Sequence, residues 1–190
     1  MIKLSHRGIS QMKKIVIIST SLRKGSNSEV LASEVERGAK EAGHEVEFIS
    51  LKDKEIKFCK GCLACQKTGR CVINDDVNDI LDKVMKADVI VWATPVYYYE
   101  MSGQMKTLID RLNALYELDY KFREVYLITT SADNSEGVID TVLSGLKGWL
   151  ACLDKAKLCG YLDGGGVNDS GEVWNNAALT EQAYNMGKNI

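Results

Sequence analysis

Several features are missing from this chain, and each absence narrows what it can be. Its longest apolar runs, such as residues 15–18 and 89–93, fall far short of the roughly 20 residues a membrane-spanning helix needs. No secretory leader with a cleavage site is recognisable, so a cytoplasmic protein is expected. Neither G-x-x-x-x-G-K-[ST] nor G-x-G-x-x-G occurs, which excludes a P-loop and a dinucleotide-binding fingerprint. Histidine is scarce. Of the two, His6 lies in a stretch without periodicity and His44 opens a strand-like segment, so no acid–base pair is expected. Proline occurs once. The six cysteines are too thinly spread for a disulfide-knitted secreted domain. They are expected to be metal-binding, redox-active or buried.

What is present is a balanced globular composition: 190 residues, 45% apolar and 26% charged, consistent with one domain. Such a chain buries roughly 70% of its extended surface and folds without staples. The net charge of −2 argues against a general nucleic-acid or membrane binder, and neither partner is expected. The charge is unevenly placed. Lys3, Arg7, Lys13, Lys14, Arg23 and Lys24 all precede the first acidic residue, Glu29, leaving 18 basic against 26 acidic residues after Ser28. A second basic island, Lys52, Lys54, Lys57, Lys60, Lys67 and Arg70, faces only Asp53 and Glu55. The two islands either face solvent or hold two anions.

Hydrophobic periodicity divides the chain into alternating strands and helices. Residues 1–11 fit no period and read as a mobile N-terminal extension, leaving 12–190 as a single domain. The apolar block Ile15–Ile18 suits a strand buried on both faces. Leu31, Val35, Gly38, Ala39 and Ala42 follow helical spacing from Ser28, with Ser26 or Asn27 as cap and Gly43 as stop. His44–Leu51 is a second strand, and 52–74 a long loop carrying four cysteines. Val77, Ile80, Leu81, Val84 and Met85 define a helix capped by Asn74 or Asp75. Asp88–Thr94 is a third strand, which Pro95 is expected to end by turning the chain out of the sheet. A helix follows Ser102 through Met105, Leu108, Ile109, Leu112 and Leu115. Strands at 125–130 and 156–162 and helices at 137–152 and 176–189 complete the chain. This βα alternation predicts a parallel sheet with helices on both faces, whose ligands sit beyond the carboxyl ends of the strands.

Two loops at those ends stand out. Residues 19–28 read Ser-Thr-Ser-Leu-Arg-Lys-Gly-Ser-Asn-Ser, rich in hydroxyls and cations and free of acids. Between a strand and a helix N-terminus, this is either a phosphate cradle or a well-capped helix start. Thr94-Pro95-Val96-Tyr97-Tyr98-Tyr99 offers tyrosine edges and freed amides to a flat heteroaromatic ring, or an aromatic face to a second subunit. Phosphate at one loop and ring at the other is the layout of a mononucleotide site.

Cys59-x-x-Cys62-x-x-Cys65-x5-Cys71 is the sharpest motif. Overlapping C-x-x-C turns bring three thiolates to one face of a cubane, with the fourth arriving from nearby, so a [4Fe–4S] cluster is the first reading. Zinc comes second because structural zinc favours two separated knuckles. An unmetallated thiol loop is the third. Cys152 and Cys159 fall in a helix and a strand and read as core.

Taken together, the motifs resemble a known family. Thr20-Ser21-Leu22-Arg23 with Ser26-Asn27-Ser28, Thr94-Pro95-Val96-Tyr97, and Lys106, Asp110 and Arg111 occur in the expected order. Gly165-Gly166-Val167, Gly171-Glu172 and Ala183-Tyr184-x-x-Gly187-Lys188 follow. Over about 13–190 the chain resembles the flavodoxin-like NAD(P)H-dependent FMN reductases, most closely their iron–sulfur flavoprotein branch. It departs from them where their glycine and proline precede the arginine of the phosphate loop. The resemblance implies a flavodoxin-like three-layer α/β/α sandwich with a five-stranded parallel sheet ordered 2-1-3-4-5. It implies FMN held by its phosphate at Ser21, Arg23, Ser26, Asn27 and Ser28. The ring would lie on Pro95, Val96, Tyr97 and Tyr98, with Ser131 and Ala132 on its other side. It further implies a [4Fe–4S] cluster on Cys59, Cys62, Cys65 and Cys71, and a homodimer or homotetramer. The flavin carries the chemistry, so no catalytic side chain is assigned. The expected activity passes electrons from NAD(P)H through FMN to a quinone, a flavin or another small oxidant. The alternative is an electron carrier between ferredoxin-like partners. A thiol- or zinc-based sensor without flavin is a third, more distant class.

Overall fold

The computed structural model describes residues 11–190. The extension read at 1–11, apart from Gln11, lies outside the described residues, as does His6. Five parallel strands form the sheet: β1 (Lys14–Ser19), β2 (Glu45–Ser50), β3 (Val89–Tyr97), β5 (Glu124–Ser131) and β6 (Lys157–Gly165). A two-residue antiparallel strand, β4 (Glu100–Met101), pairs with the end of β3. The order β2-β1-β3-β5-β6 is the expected flavodoxin-like order with β4 added at one end of β3.

Successive side chains of the central strands enter two different cores, which is why these strands read as unbroken apolar runs. Ile15, Ile17, Val89 and Val91 pack under α1 (Asn27–Glu41) and α6 (Ala177–Lys188). Val16, Ile18, Ile90 and Trp92 pack under α3 (Val77–Lys86), α4 (Gly103–Arg111) and α5 (Asp140–Ala151). On the first face, a Cβ on Gly38 would strike the Tyr184 carbonyl and one on Gly187 would strike that of Val35. Glycine at these two positions lets α1 and α6 touch backbone to backbone. Among the described residues no helix is long and apolar enough to cross a membrane.

Four local expectations are corrected. Pro95 does not end its strand: β3 continues to Tyr97, with Pro95 in register with Thr130. The register of β1 on β3 stops at Ser19 and Ala93, so the missing proline N–H falls where β1 has already left. The cysteine loop is not structureless, because Ala64–Thr68 forms a short helix, α2. Asp76, rather than Asn74 or Asp75, stands at the N-cap of α3, while Asp75 Oδ1 accepts from Val77 N at 3.2 Å. Cys152 and Cys159 are exposed, not core. The first closes the C-terminus of α5, and the second is the residue skipped at a bulge in β6, between the pairings Val125–Leu158 and Tyr126–Gly160.

Candidate functional site

The chain runs from β1 outward to β2 and returns to β3 on the other side of β1, so a crevice opens beyond the carboxyl ends of β1 and β3. Thr20 anchors the first loop there. Its N–H and hydroxyl both donate to the Ala93 carbonyl, at 2.9 and 3.0 Å, and its hydroxyl meets that of Ser102 at 2.9 Å. Ser21 Oγ accepts from Arg23 N at 3.3 Å. Gly25 turns the loop with φ 62°, a left-handed conformation that favours glycine.

Ser26 is the N-cap of α1, and its Oγ accepts from Glu29 N at 3.3 Å. The hydroxyl proton of Ser21 remains available to an acceptor, and that of Ser26 has only the Ser28 hydroxyl, 3.5 Å away, within reach among the described residues. Also available are the first-turn amides of Asn27 and Ser28, which find no partner among the described residues. Ser19 Oγ, at the end of β1, is buried and likewise unpartnered. The loop is therefore both capped helix start and anion cradle: the cap consumes one serine acceptor and leaves the donors free.

Ten of the eleven residues expected to hold the mononucleotide line one cavity of about 310 Å³. They are Ser21, Arg23, Ser26, Asn27, Pro95, Val96, Tyr97, Tyr98, Ser131 and Ala132. Ser28 stands behind them, buried, its hydroxyl 3.5 Å from that of Ser26. Thr130, Val167 and Asn168 complete the lining. Val167 follows the Gly165-Gly166 motif, so the glycine pair was the available signal. Asn168 acts through its backbone carbonyl, which accepts from Arg23 Nη1 at 2.8 Å. The Asn27 amide donates to the Asp169 carbonyl at 2.9 Å and accepts from Val173 N at 3.1 Å. Asn27 thus pins the 167–173 segment against the first loop.

At the ring end, β3 and β4 form a two-residue hairpin with Tyr98 and Tyr99 at its tip, at φ 51° and 65°. Both central residues of this tight turn are left-handed, where Asn-Gly is the usual choice and two tyrosines store strain. Tyr98 is fully exposed, and Tyr99 donates its hydroxyl to Asp133 Oδ2 at 3.3 Å. Hydrogen bonds from Ser135, with a smaller one from Tyr99, hold the Asp133 carboxyl below its ordinary value.

Cys59, Cys62, Cys65 and Cys71 line a second cavity, of about 290 Å³. Cys59 and Cys62 are exposed, Cys71 half-buried and Cys65 buried. Gly61 N donates to Cys59 Sγ at 3.4 Å and Asn113 Nδ2 to Cys65 Sγ at 3.5 Å. Asn78 clamps the Cys71 backbone, accepting from its N–H at 2.9 Å and donating to its carbonyl at 3.0 Å. Among the described residues no three His, Cys, Asp or Glu side chains converge closely enough for a single ion. A cubane makes a different demand. Each thiolate takes its own iron, so the four sulfurs need only surround a common space, and the four cysteines do line one cavity.

Part of the second basic island is neutralised. Lys54 pairs with Asp76, Lys57 with Glu55 and Arg70 with Asp82. His44 has a packing role: Lys13 N donates to its Nδ1 at 3.2 Å, and burial followed by the nearby Lys13 charge pushes the imidazole below its ordinary value.

Comparison with known proteins gives the family and the fold. Residues 13–153 match the family model described as NADPH-dependent FMN reductase. An iron-sulfur flavoprotein of Methanocaldococcus jannaschii is 44% identical over 102 residues, which are 54% of this chain and 53% of that protein. One of Archaeoglobus fulgidus is 47% identical over 95 residues, 50% of this chain and 45% of that one. The matched stretch thus spans about half the length of these relatives. In fold, the chain is similar to an NAD(P)H:quinone oxidoreductase from Methanothermobacter marburgensis, with a TM-score of 0.74 at 16% identity over 94% of this chain and 96% of that one. An azoreductase from Bacillus anthracis superposes with a TM-score of 0.69 at 14% identity, over 94% of this chain and 100% of that one.

Proposed function

The chain belongs to the NADPH-dependent FMN reductase family, and from that premise we propose that it is an FMN-dependent oxidoreductase passing electrons from NAD(P)H to a small oxidant. The carrying observation is the 310 Å³ cavity, which joins a phosphate-type loop at one end to a proline–tyrosine hairpin at the other. Its volume lies at the small end of the range for ligand sites, as suits a mononucleotide with one ring face left open. When bound, FMN supplies the redox chemistry, accepting a hydride and releasing electrons to an acceptor.

The protein's part is to bind, orient and shield. The free amides of Asn27 and Ser28, the Ser21 and Ser26 hydroxyls and the Arg23 guanidinium would hold the phosphate. Pro95, Val96, Tyr97 and Tyr98 would support the ring from one side and Ser131 and Ala132 from the other. Because no separate nicotinamide fold is present among the described residues, NAD(P)H and the acceptor would use the same open face in turn. Ping-pong kinetics follow. Quinones, flavins and other small oxidants fit such a site, and a homodimer or homotetramer would let a second subunit shape it.

The test is the absorption spectrum of the protein with analysis of the released flavin, followed by anaerobic addition of NADH and NADPH. FMN bands that bleach with either nucleotide support the reading. A protein that neither carries nor takes up FMN overturns it.

A second reading is an iron–sulfur flavoprotein that relays electrons between ferredoxin-like partners and FMN. It is favoured by one observation, the four cysteines around a single cavity. A broad charge-transfer shoulder with about four irons and four sulfides per chain, and reduction by ferredoxin rather than NAD(P)H, would support it.

A further inference from the structure

The cysteine cavity has a wall of nitrogen donors supplied by one stretch of chain. Arg111 ends α4, and its side chain is withdrawn from solvent. Nη1 donates to Asp75 Oδ2 at 2.7 Å and to the Lys57 carbonyl at 2.6 Å, and Nη2 donates to Asp75 Oδ1 at 2.9 Å. Those bonds use the fork of the guanidinium. Nε, also buried, has no hydrogen-bond partner among the described residues. Arg111 lines the cysteine cavity, where the Cys71 side chain is one of the groups bearing on its guanidinium. Two residues along the chain, Asn113 lines the same cavity and donates to Cys65 Sγ at 3.5 Å. A buried cation and an amide thus face two of the four sulfurs, and a buried N–H without a partner is costly unless something fills the space before it.

We propose that Arg111 and Asn113 are positioning residues for an anionic, thiolate-ligated group in this cavity, which they retain and whose reduction potential they raise. Hydrogen bonds to sulfur favour the form carrying more negative charge, which is the reduced one. Since Asp75 balances the Arg111 charge, the contribution of Arg111 is its free Nε donor. The exposed neighbours Lys106 and Asp110 pair with each other at 2.6 Å, so the unneutralised donor capacity of this helix end is Arg111's. The inference rests on reading the cavity as a cluster site.

The experiment compares the full-length protein with Asn113→Leu and Arg111→Lys, prepared anaerobically with ferrous iron and sulfide. Iron, sulfide and FMN are counted, iron loss to a chelator is followed, and the cluster and flavin midpoints are titrated separately. In each variant we expect a more negative cluster midpoint and about 10–100-fold weaker iron retention, with FMN content and flavin midpoint unchanged. Asn113→Leu keeps the Arg111–Asp75 pair, so it reads the effect even if Arg111→Lys folds poorly. Wild-type midpoint and retention in Asn113→Leu, or equal loss of iron and FMN, would overturn the proposal.

If the wild-type protein takes up no iron, the cluster reading fails and the positioning role falls with it. A wild-type protein that loads iron beside variants that match it overturns the positioning role alone.

Discussion

Arg111 and Asp75 form a bidentate ion pair with both side chains fully withdrawn from solvent, their N–O distances 2.7 and 2.9 Å. The pair closes the mouth of the cysteine loop. Asp75 Oδ2 also accepts from Lys57 N at 2.9 Å, and Arg111 Nη1 reaches the Lys57 carbonyl, so residues 57 and 75 are tied to each other and to α4. Cys59 through Cys71 hang between these two tied points. A segment with little apolar burial of its own is thereby fixed to a helix of the main core.

Breaking that pair from one side should be expensive. Asp75→Ala leaves a buried guanidinium uncompensated and frees both ends of the loop, and a loss of about 3–5 kcal/mol is expected. Arg111→Met combined with Asp75→Leu removes both charges and should cost much less. Urea denaturation of the three proteins, with proteolysis of 52–74 as a local readout, distinguishes these outcomes.

Acid should open the same loop. Burial alone would raise the Asp75 carboxyl, but hydrogen bonds from Arg111, Lys57 and Val77 outweigh it and leave the group below its ordinary value of 3.8. A depressed folded value means that the unfolded chain binds the proton first, so the contribution is complete well above pH 4. It fades as pH falls through 4 toward the folded value. Stability measured between pH 6 and 3 should drop more steeply in the wild type than in Asp75→Asn, which has no proton to take up there. Equal slopes would remove Asp75 as the source.

How much of this was legible depends on whether a residue acts through its type or through its placement. The hydroxyl-rich run 19–28 and the segment 95–98 were singled out by residue type, each with a second use open, and the folded chain brings them to one cavity. Asn168 was not, since it serves through a carbonyl that any residue carries. Pro95 was misread because a proline ends a strand only where a neighbour needs its N–H, and β1 has already departed. Cys159 sits in a strand as expected and Cys152 just past its helix, yet periodicity reveals neither the bulge that sets Cys159 aside nor the exposure of the helix end. Arg111 lies three residues after Leu108 and one before Leu112, on the buried stripe of its helix. Its partner is 36 residues away, and only the folded chain brings the two together.

The hairpin tip should trade stability against function. Tyr98 and Tyr99 are held left-handed at a cost of about 1–2 kcal/mol each, and Asn-Gly adopts the same turn without that strain. Replacing the pair by Asn-Gly should therefore raise the apoprotein's stability by about 1–3 kcal/mol in urea, the strain relieved at both positions less the lost Tyr99–Asp133 bond. The same change removes the Tyr99–Asp133 bond, which ties the hairpin tip to the segment after β5, and the Tyr98 ring that lines the cavity. FMN affinity should fall with it. A variant that is more stable and binds FMN unchanged would detach the hairpin from the site.

The phosphate end can be tested apart from the ring end by comparing FMN with riboflavin. The Arg23 guanidinium is exposed and, among the described residues, bonded only to the Asn168 carbonyl. Ser26 caps α1 with its hydroxyl proton shared at most with Ser28. Both should matter to a ligand carrying phosphate and hardly to one lacking it. A hydrogen bond to a charged group is worth about 1.5–3 kcal/mol, so Arg23→Ala should weaken FMN binding by about 10–150-fold in fluorescence titrations. Riboflavin binding should stay within about twofold, since riboflavin makes no phosphate contact. Ser26→Ala should behave alike and also cost about 1 kcal/mol of stability through the lost cap. If both flavins weaken equally in Arg23→Ala, the first loop shapes the ring site instead, and the phosphate must be held elsewhere.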